Sequence, residues 1–196
     1  MRHALFQPTA LAYSPAELTA CVRALLDANA NANADAGAWV FDVVDWTRQA
    51  LADAALLASE RLDGARGDAA AAESAGRALL ALIDAMGEVL RMDVAHFGGF
   101  EGMDAARRRL VTVWWDSDND GALNAYASRQ WLSLLPLYAS RWRAFVRYLA
   151  EGGQAPAFDA IERAFVSDDA WWSARPQPLR LSRARVMRAL ALADAT

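Results

Sequence analysis

The sequence predicts an all-α fold, an antiparallel bundle of six or seven helices that forms a single helical domain over residues 1–196. Three observations lead to this prediction. Apolar residues recur at intervals of three and four along most of the chain, and clusters of glycine, proline and asparagine separate these stretches. No stretch shows the alternating apolar and polar residues of a half-buried strand. Because 55% of its residues are hydrophobic, the chain can bury a substantial core.

The first helix is predicted to begin at the stretch from Ser14 to Glu17. This stretch supplies a serine cap, a proline in the first helical position and a glutamate three residues after the serine. The apolar side of the helix includes Leu18, Cys21 and Leu25, so we expect the only cysteine to be packed rather than reactive. The asparagine-rich stretch NANANADAG that follows is typical of a loop.

The remaining helices are predicted from the helical spacing of apolar residues and from the glycines and prolines that end each helix. A second helix is predicted from about Ala38 to Leu62, with Gly64 ending it, and a third from about Asp68 to Met92. Glycine pairs at 98–99 and 152–153 and the PQP stretch at 176–178 separate four more helices, at about 103–114, 122–150, 158–172 and 183–193. We expect the 122–150 helix to bend at Pro136, because proline lacks a backbone donor.

The charge balance excludes some classes of partner. The net charge of −4 and the pI near 5.2 argue against a dedicated nucleic-acid binder, whose affinity depends on clustered cations that neutralise phosphates. No apolar run approaches the ~20 residues that a membrane helix needs, and the first residues lack the apolar core of a signal peptide. We therefore expect a soluble protein without a nucleic-acid or membrane partner. The absence of lysine and the excess of alanine are typical of a bacterial gene.

The run DSDNDG, from Asp116 to Gly121, matches the first half of a calcium-binding loop. Its aspartates fill the first, third and fifth ligand positions, its glycine fills the sixth, and Leu123 supplies the usual apolar residue at the eighth. The twelfth position, which normally carries a bidentate glutamate, is Ala127. The alternative is a solvated acidic turn, since these residue types also favour helix connections. We therefore predict no metal site.

The sequence contains no complete catalytic apparatus. Glycosidic hydrolysis usually needs two carboxyl groups ~5 to 10 Å apart on rigid elements, whereas the three aspartates of DSDNDG share one turn. Asp42 and Asp45 lie in an amphipathic helix, where pairing or contact with water is the simpler interpretation. His3 and His96 have no partner at metal-ligand spacing, and no nucleotide or cofactor motif occurs. We expect no catalytic residue and no cofactor.

Eight tryptophans are unusual for this length, and two pairs, Trp114-Trp115 and Trp171-Trp172, stand at predicted helix ends. Adjacent residues on a helix point about 100° apart, so only one member of each pair can lie fully in the core. Packing is the default role of tryptophan. An exposed tryptophan beside polar loop residues, however, is a surface on which a sugar ring can stack.

The order of several segments resembles the C-terminal helical domain of the α-N-acetylglucosaminidases, glycoside hydrolase family 89. The segments that carry the resemblance are FDVVDWTRQAL (41–51), LLALIDAMGEVL (79–90), MDAARRRLVTVW (103–114), YASRQW (126–131), YASRWRAF (138–145) and IERAFV (161–166). They occur in unbroken order over nearly the whole chain. Two positions depart from the family pattern, Ala125 where an acidic residue often stands and Ser133 where a glycine is usual.

The resemblance implies a specific function. Members of this family remove terminal α-linked N-acetylglucosamine from glycans by a retaining mechanism, and their two catalytic glutamates lie on an N-terminal barrel domain. This chain would then form one wall of the sugar-binding cleft, with that barrel and the glycan as its partners. The sugar-facing residues of the family correspond to Trp114, Leu123 and Tyr126. As part of a longer bacterial precursor, the chain would be periplasmic or secreted.

A second interpretation is a stand-alone helical module that binds a protein or a glycan without catalysis. The residues encoded upstream of Met1 discriminate between the two interpretations, because only the first requires a barrel with paired glutamates there.

Overall fold

The structure is a computed structural model that describes residues 13–28, 36–98 and 132–196, and every regular element in these ranges is helical. The helices are α1 (Pro15–Ala28), α2 (Ala36–Gly64), α3 (Ala69–Leu90), α4 (Val94–Phe97), α5 (Leu135–Glu151), α6 (Phe158–Val166), α7 (Asp169–Ser173) and α8 (Arg183–Asp194). Single 3₁₀ turns at Arg91–Asp93 and Leu132–Leu134 precede α4 and α5. The all-α prediction is confirmed.

The long helices α2 and α3 form the centre of the bundle. The short connection between them makes them antiparallel neighbours. Helices α1 and α8 pack against α2 and against each other, and α8 also contacts α3. Helix α5 lies against α3, and α6 packs against α5. None of the helices in the described part of the chain is long and apolar enough to cross a membrane.

The core consists of helical stripes at the predicted spacing. Helix α3 buries a row of residues at intervals of three and four, namely Ala72, Gly76, Leu79, Leu82, Ile83, Met86, Val89 and Leu90. Helix α2 contributes a facing row, namely Val43, Val44, Ala50, Leu51, Ala54, Ala58 and Leu62. Where α3 meets α5, Gly76 allows close approach, because an added Cβ would lie 2.5 Å from both methyl groups of Val146.

Local capping interactions set several helix starts, and the one at Ser14 and Glu17 was predicted from the sequence. The backbone N–H of Ser14 donates to the Glu17 carboxylate at 2.9 Å, which is one half of a capping box. The Asp68 carboxylate accepts a hydrogen bond from the backbone N–H of Ala71 at 3.0 Å and caps α3. Ser182 caps α8 through the N–H of Arg185.

Three local predictions are wrong. Cys21 is exposed, because α1 turns Thr19, Val22 and Leu26 into the core instead. Pro136 does not bend a helix that continues through it; it lies in the first turn of α5, where its missing donor costs nothing.

The predicted helix at 158–172 is the third of these, since it is divided into α6 and α7. The Asp168 side chain accepts a hydrogen bond from the backbone N–H of Trp171 at 2.9 Å and starts the second piece.

Helix α2 also carries a polar network that links Tyr13, just before α1, to the bundle. The Tyr13 hydroxyl donates to Oδ2 of Asp53 at 2.8 Å, and the Gln49 amide donates to Oδ1 of the same carboxylate at 2.7 Å. Asp53 is only 3% exposed. Desolvation and the hydrogen bond to Asp53 raise the pKa of the Tyr13 hydroxyl. In the preceding turn, Nε of Arg48 donates to Asp45 at 2.9 Å, so Asp45 pairs, which is one of the roles expected for it.

Candidate functional site

The three predicted sugar-facing residues, Trp114, Leu123 and Tyr126, lie outside the described residues, as does the DSDNDG run. They belong to the stretch 99–131, and the described residues on either side of it are Gly98 and Leu132. The candidate site is therefore characterised by the described residues on either side of this stretch.

The two ends of the stretch meet in one place. The backbone N–H of Ser133 donates to the carbonyl of Gly98 at 3.2 Å. The indole Nε1–H of Trp171 donates to the carbonyl of Ser133 at 3.1 Å. We call these three residues the Ser133 junction. Ser133 is fully buried and Gly98 is buried as well, so the backbone hydrogen bond between them is shielded from water.

The connection from α6 to α8, which includes α7, also bonds to the turn that follows α3. The backbone N–H of Leu179 donates to the carbonyl of Arg91 at 2.8 Å, and Nε of Arg91 donates to the carbonyl of Gln177 at 2.8 Å. Arg91 lies in the 3₁₀ turn that follows α3 and precedes Gly98. One connection thus holds the chain both before and after the 99–131 stretch.

An acidic and aromatic group lies beside the Gly98 end. The Asp93 side chain is 8% exposed; it caps α4 and lies 2.8 Å from Nδ1 of His96, whose side chain is 56% exposed. Phe41 of α2 stacks on Phe97 at 5.2 Å and contacts the His96 ring edge-on at 5.1 Å. This group fixes the first turns of α2 against α4, directly before the chain enters the 99–131 stretch.

The Ser133 end of the stretch continues into α5, which carries a second charged pair. Arg141 of α5 lies 3.2 Å from the Glu162 carboxylate of α6, and its guanidinium covers the ring of Phe158 at 5.2 Å. Burial raises the pKa of the Glu162 carboxyl, against the opposing effect of Arg141. The pair fastens α6 to α5.

The described tryptophans separate into packed and exposed side chains. Trp172 is 2% exposed and donates through Nε1 to the carbonyl of Phe165 at 3.0 Å, whereas Trp171 is only partly buried. One member of this pair therefore lies fully in the core, as predicted. Trp46 on α2 is 43% exposed.

In the described ranges, no group of three or more His, Cys, Asp or Glu side chains is placed to hold a metal ion. Of the two histidines, His96 pairs with Asp93 instead.

Sequence reasoning did not find the Ser133 junction. The sequence singled out the tryptophan pair at 171–172 and, separately, Ser133 as a departure from the family pattern, but nothing in either identifies the other as its partner 38 residues away.

Comparison with known proteins identifies one family. A family model described as the alpha-N-acetylglucosaminidase C-terminal domain matches residues 2–98 and 101–189. The match includes all but two residues of the 99–131 stretch. A search of curated proteins finds no match.

Proposed function

Because the chain belongs to the C-terminal domain family of the alpha-N-acetylglucosaminidases, we propose that it forms one wall of the sugar-binding cleft of an exo-acting enzyme of this class. The reaction is hydrolysis of terminal α-linked N-acetylglucosamine from glycans. The observation that carries the proposal is the family match, which extends over nearly the whole chain and through the predicted sugar-facing positions.

In this proposal the sugar contacts come from Trp114, Leu123 and Tyr126. An aromatic ring can stack on the apolar face of a pyranose, and an apolar leucine side chain can contact the methyl group of an N-acetyl substituent. The Ser133 junction supports the assignment, because a segment that binds a ligand must leave a rigid scaffold at a fixed point.

The two carboxyl groups that cleave the bond come, in this proposal, from the catalytic domain that precedes this one in the family's architecture. A retaining glycosidase needs its acid/base and nucleophile only about 5 to 5.5 Å apart. The helical domain then contributes to substrate binding and to the exclusion of water, and the barrel domain is its partner.

A chimera tests the proposal directly. The barrel of an α-N-acetylglucosaminidase, deprived of its own C-terminal domain, is fused to this chain, and hydrolysis of an aryl α-N-acetylglucosaminide is measured. We expect the fusion to restore activity that the barrel alone lacks. We also expect Trp114→Ala and Tyr126→Ala to lower kcat/KM by roughly 10- to 100-fold, the effect of losing a central aromatic anchor.

The matched control is Trp46→Ala, which removes an exposed aromatic side chain of α2, away from the proposed sugar-facing stretch in the sequence. It should leave kcat/KM within about twofold of the parent chimera. Equal losses from all three variants would contradict the site assignment. A chimera no more active than the barrel alone would instead favour a stand-alone interaction module.

A further inference from the structure

We infer that the groove between α3 and α8 is the surface on which a second copy of this chain docks, the two copies being related by a two-fold axis. One side of the groove carries two acidic residues of α3, Asp84 and Glu88, and the other carries two arginines of α8, Arg185 and Arg188. A surface with one charge on each side can bind its own copy, because rotation places each charge opposite its counterpart.

The groove suits the side of another helix better than a small molecule. Its lining residues fall within 81–92 and 185–192, on successive turns, so α3 and α8 run side by side along it. The buried Val89 and Ala189 lie at its base. Its volume of about 320 Å³ is near the lower limit of small-ligand pockets, which span about 300 to 1,000 Å³ and are rich in aromatic side chains. No aromatic side chain lines this groove.

The charged groups of the groove are available to a partner. Asp84, Glu88 and Arg188 are exposed, and among the residues that the structure describes none of their side chains forms an ion pair or a hydrogen bond. Arg185 differs, because its Nη1 donates to the carbonyl of Arg180 at 3.3 Å. Charges that no neighbour neutralises favour a partner that presents the opposite charge.

The outer side of α8 has a shape and a charge that fit this groove. Its exposed residues recur at intervals of four and three, namely Ala184, Arg188, Ala191 and Ala195. Because alanine side chains are short, this side of α8 is a narrow ridge with a single arginine on it. A ridge on one helix packs into the groove between the side chains of its neighbours in ordinary helix packing.

A two-fold axis parallel to α8 satisfies both copies at once. It places α8 of each copy in the groove of the other, so that Arg188 of one copy lies beside Asp84 and Glu88 of the other. The positions along the groove agree, because all three residues line the same groove and this rotation leaves the position along it unchanged. Each groove then contains two carboxylates, its own Arg185 and the arginine of the other copy, and these charges cancel.

Analytical ultracentrifugation of the 196-residue chain over about 1 to 300 μM tests for the dimer. We expect the average mass to rise with concentration from 21.3 kDa toward twice that value, and to rise less at high salt. Arg188→Glu and Glu88→Arg should each raise the dimer dissociation constant at least about tenfold, because each brings like charges together. The matched control is Arg147→Glu, which makes the same charge change at an exposed position of α5 and should leave the constant within about twofold.

A mixture of the two charge-reversal variants identifies the pairing itself. In a mixed dimer, the groove that keeps Glu88 receives the unchanged Arg188, and the groove with the new arginine receives the new glutamate. Both contacts therefore join opposite charges. We expect the mixture to dimerise within about fivefold of the parent affinity, although neither variant does so alone.

A further variant tests the ridge without changing a charge. Ala191→Gln lengthens one side chain on the outer side of α8 and should weaken the dimer about threefold or more, while circular dichroism checks that every variant is folded. A monomer at every concentration would overturn the inference, and so would a dimer that neither charge reversal nor Ala191→Gln weakens. A mixture of folded reversal variants that stays monomeric would contradict the pairing. Hydrogen exchange in α8 that slows only when a catalytic domain is fused to the chain would assign the groove to that domain instead.

Discussion

The contact between α3 and α5 depends on the absence of one side chain, and this dependence makes a sharp prediction about stability. An ideal Cβ at Gly76 would lie 2.5 Å from both methyl carbons of Val146 and 3.1 Å from its Cβ, whereas carbon atoms in favourable contact lie about 3.5 to 4.0 Å apart. A new rotamer of Val146 cannot relieve this overlap. Both methyl groups already face Gly76, so every staggered rotamer leaves at least one of them there.

Gly76→Ala should therefore force the two helices apart. Overpacking of this kind costs about 1 to 3 kcal/mol, and the better helix propensity of alanine recovers at most about 1 kcal/mol. With the full recovery subtracted, the expected net loss is up to about 2 kcal/mol. For a protein of this size, 1 kcal/mol corresponds to roughly 2 to 4 °C in melting temperature. Thermal and urea unfolding followed by circular dichroism measure both quantities.

Two further variants isolate the cause. In a Val146→Ala background the obstacle is gone, so Gly76→Ala should become stabilising by up to about 1 kcal/mol. Gly87→Ala is the matched control in the same helix, because a Cβ there meets only Leu135 Cδ1 at an ordinary 3.7 Å; it should stabilise the parent protein. A Gly76→Ala effect of the same sign and size in both backgrounds would refute the packing argument.

Four other predictions concern the site and its surroundings. The isolated chain should not hydrolyse an aryl α-N-acetylglucosaminide, because the paired carboxyl groups are proposed to lie in another domain; turnover abolished by mutating one of its own aspartates would contradict this. Isothermal titration should give calcium binding no tighter than about the millimolar range, since Ala127 replaces the bidentate ligand; a micromolar constant lost in Asp116→Ala would count against it. Tyr126→Ala should cost the isolated domain about 1 kcal/mol, whereas Trp172→Ala, which truncates a buried side chain, should cost ~3 to 5 kcal/mol. If the two variants have equal melting temperatures, Tyr126 belongs to the core. Burial raises the folded-state pKa of Glu162 above its ordinary 4.5, so its carboxyl contributes stability below pH 4.5 that is lost as pH rises through the raised value. Glu162→Gln should flatten this part of the stability profile in urea titrations at several pH values, and an unchanged slope would exclude the effect.

The sequence determined the elements whose signals act within one or two turns. The periodic apolar positions of α2 and α3 specified their buried stripes. Asp68 and Ser182 cap their helices because their side chains accept from backbone N–H groups three residues ahead, and at the start of α1 the Glu17 side chain accepts from the backbone N–H of Ser14. The fold class follows from these signals, since amphipathic helices with short connections bury their apolar faces only against one another.

The tertiary structure alone decided which chemically similar groups face the core and which distant groups meet. Cys21 shares the apolar spacing of α1, yet the packing of α1 against α2 and α8 leaves it exposed. Tyr13 joins Asp53 across 40 residues, and Trp171 joins Ser133 across 38. A donor and an acceptor so far apart in the chain pair only after the helices that carry them have packed. Their meeting depends on the geometry of the whole bundle and leaves no local pattern in the sequence.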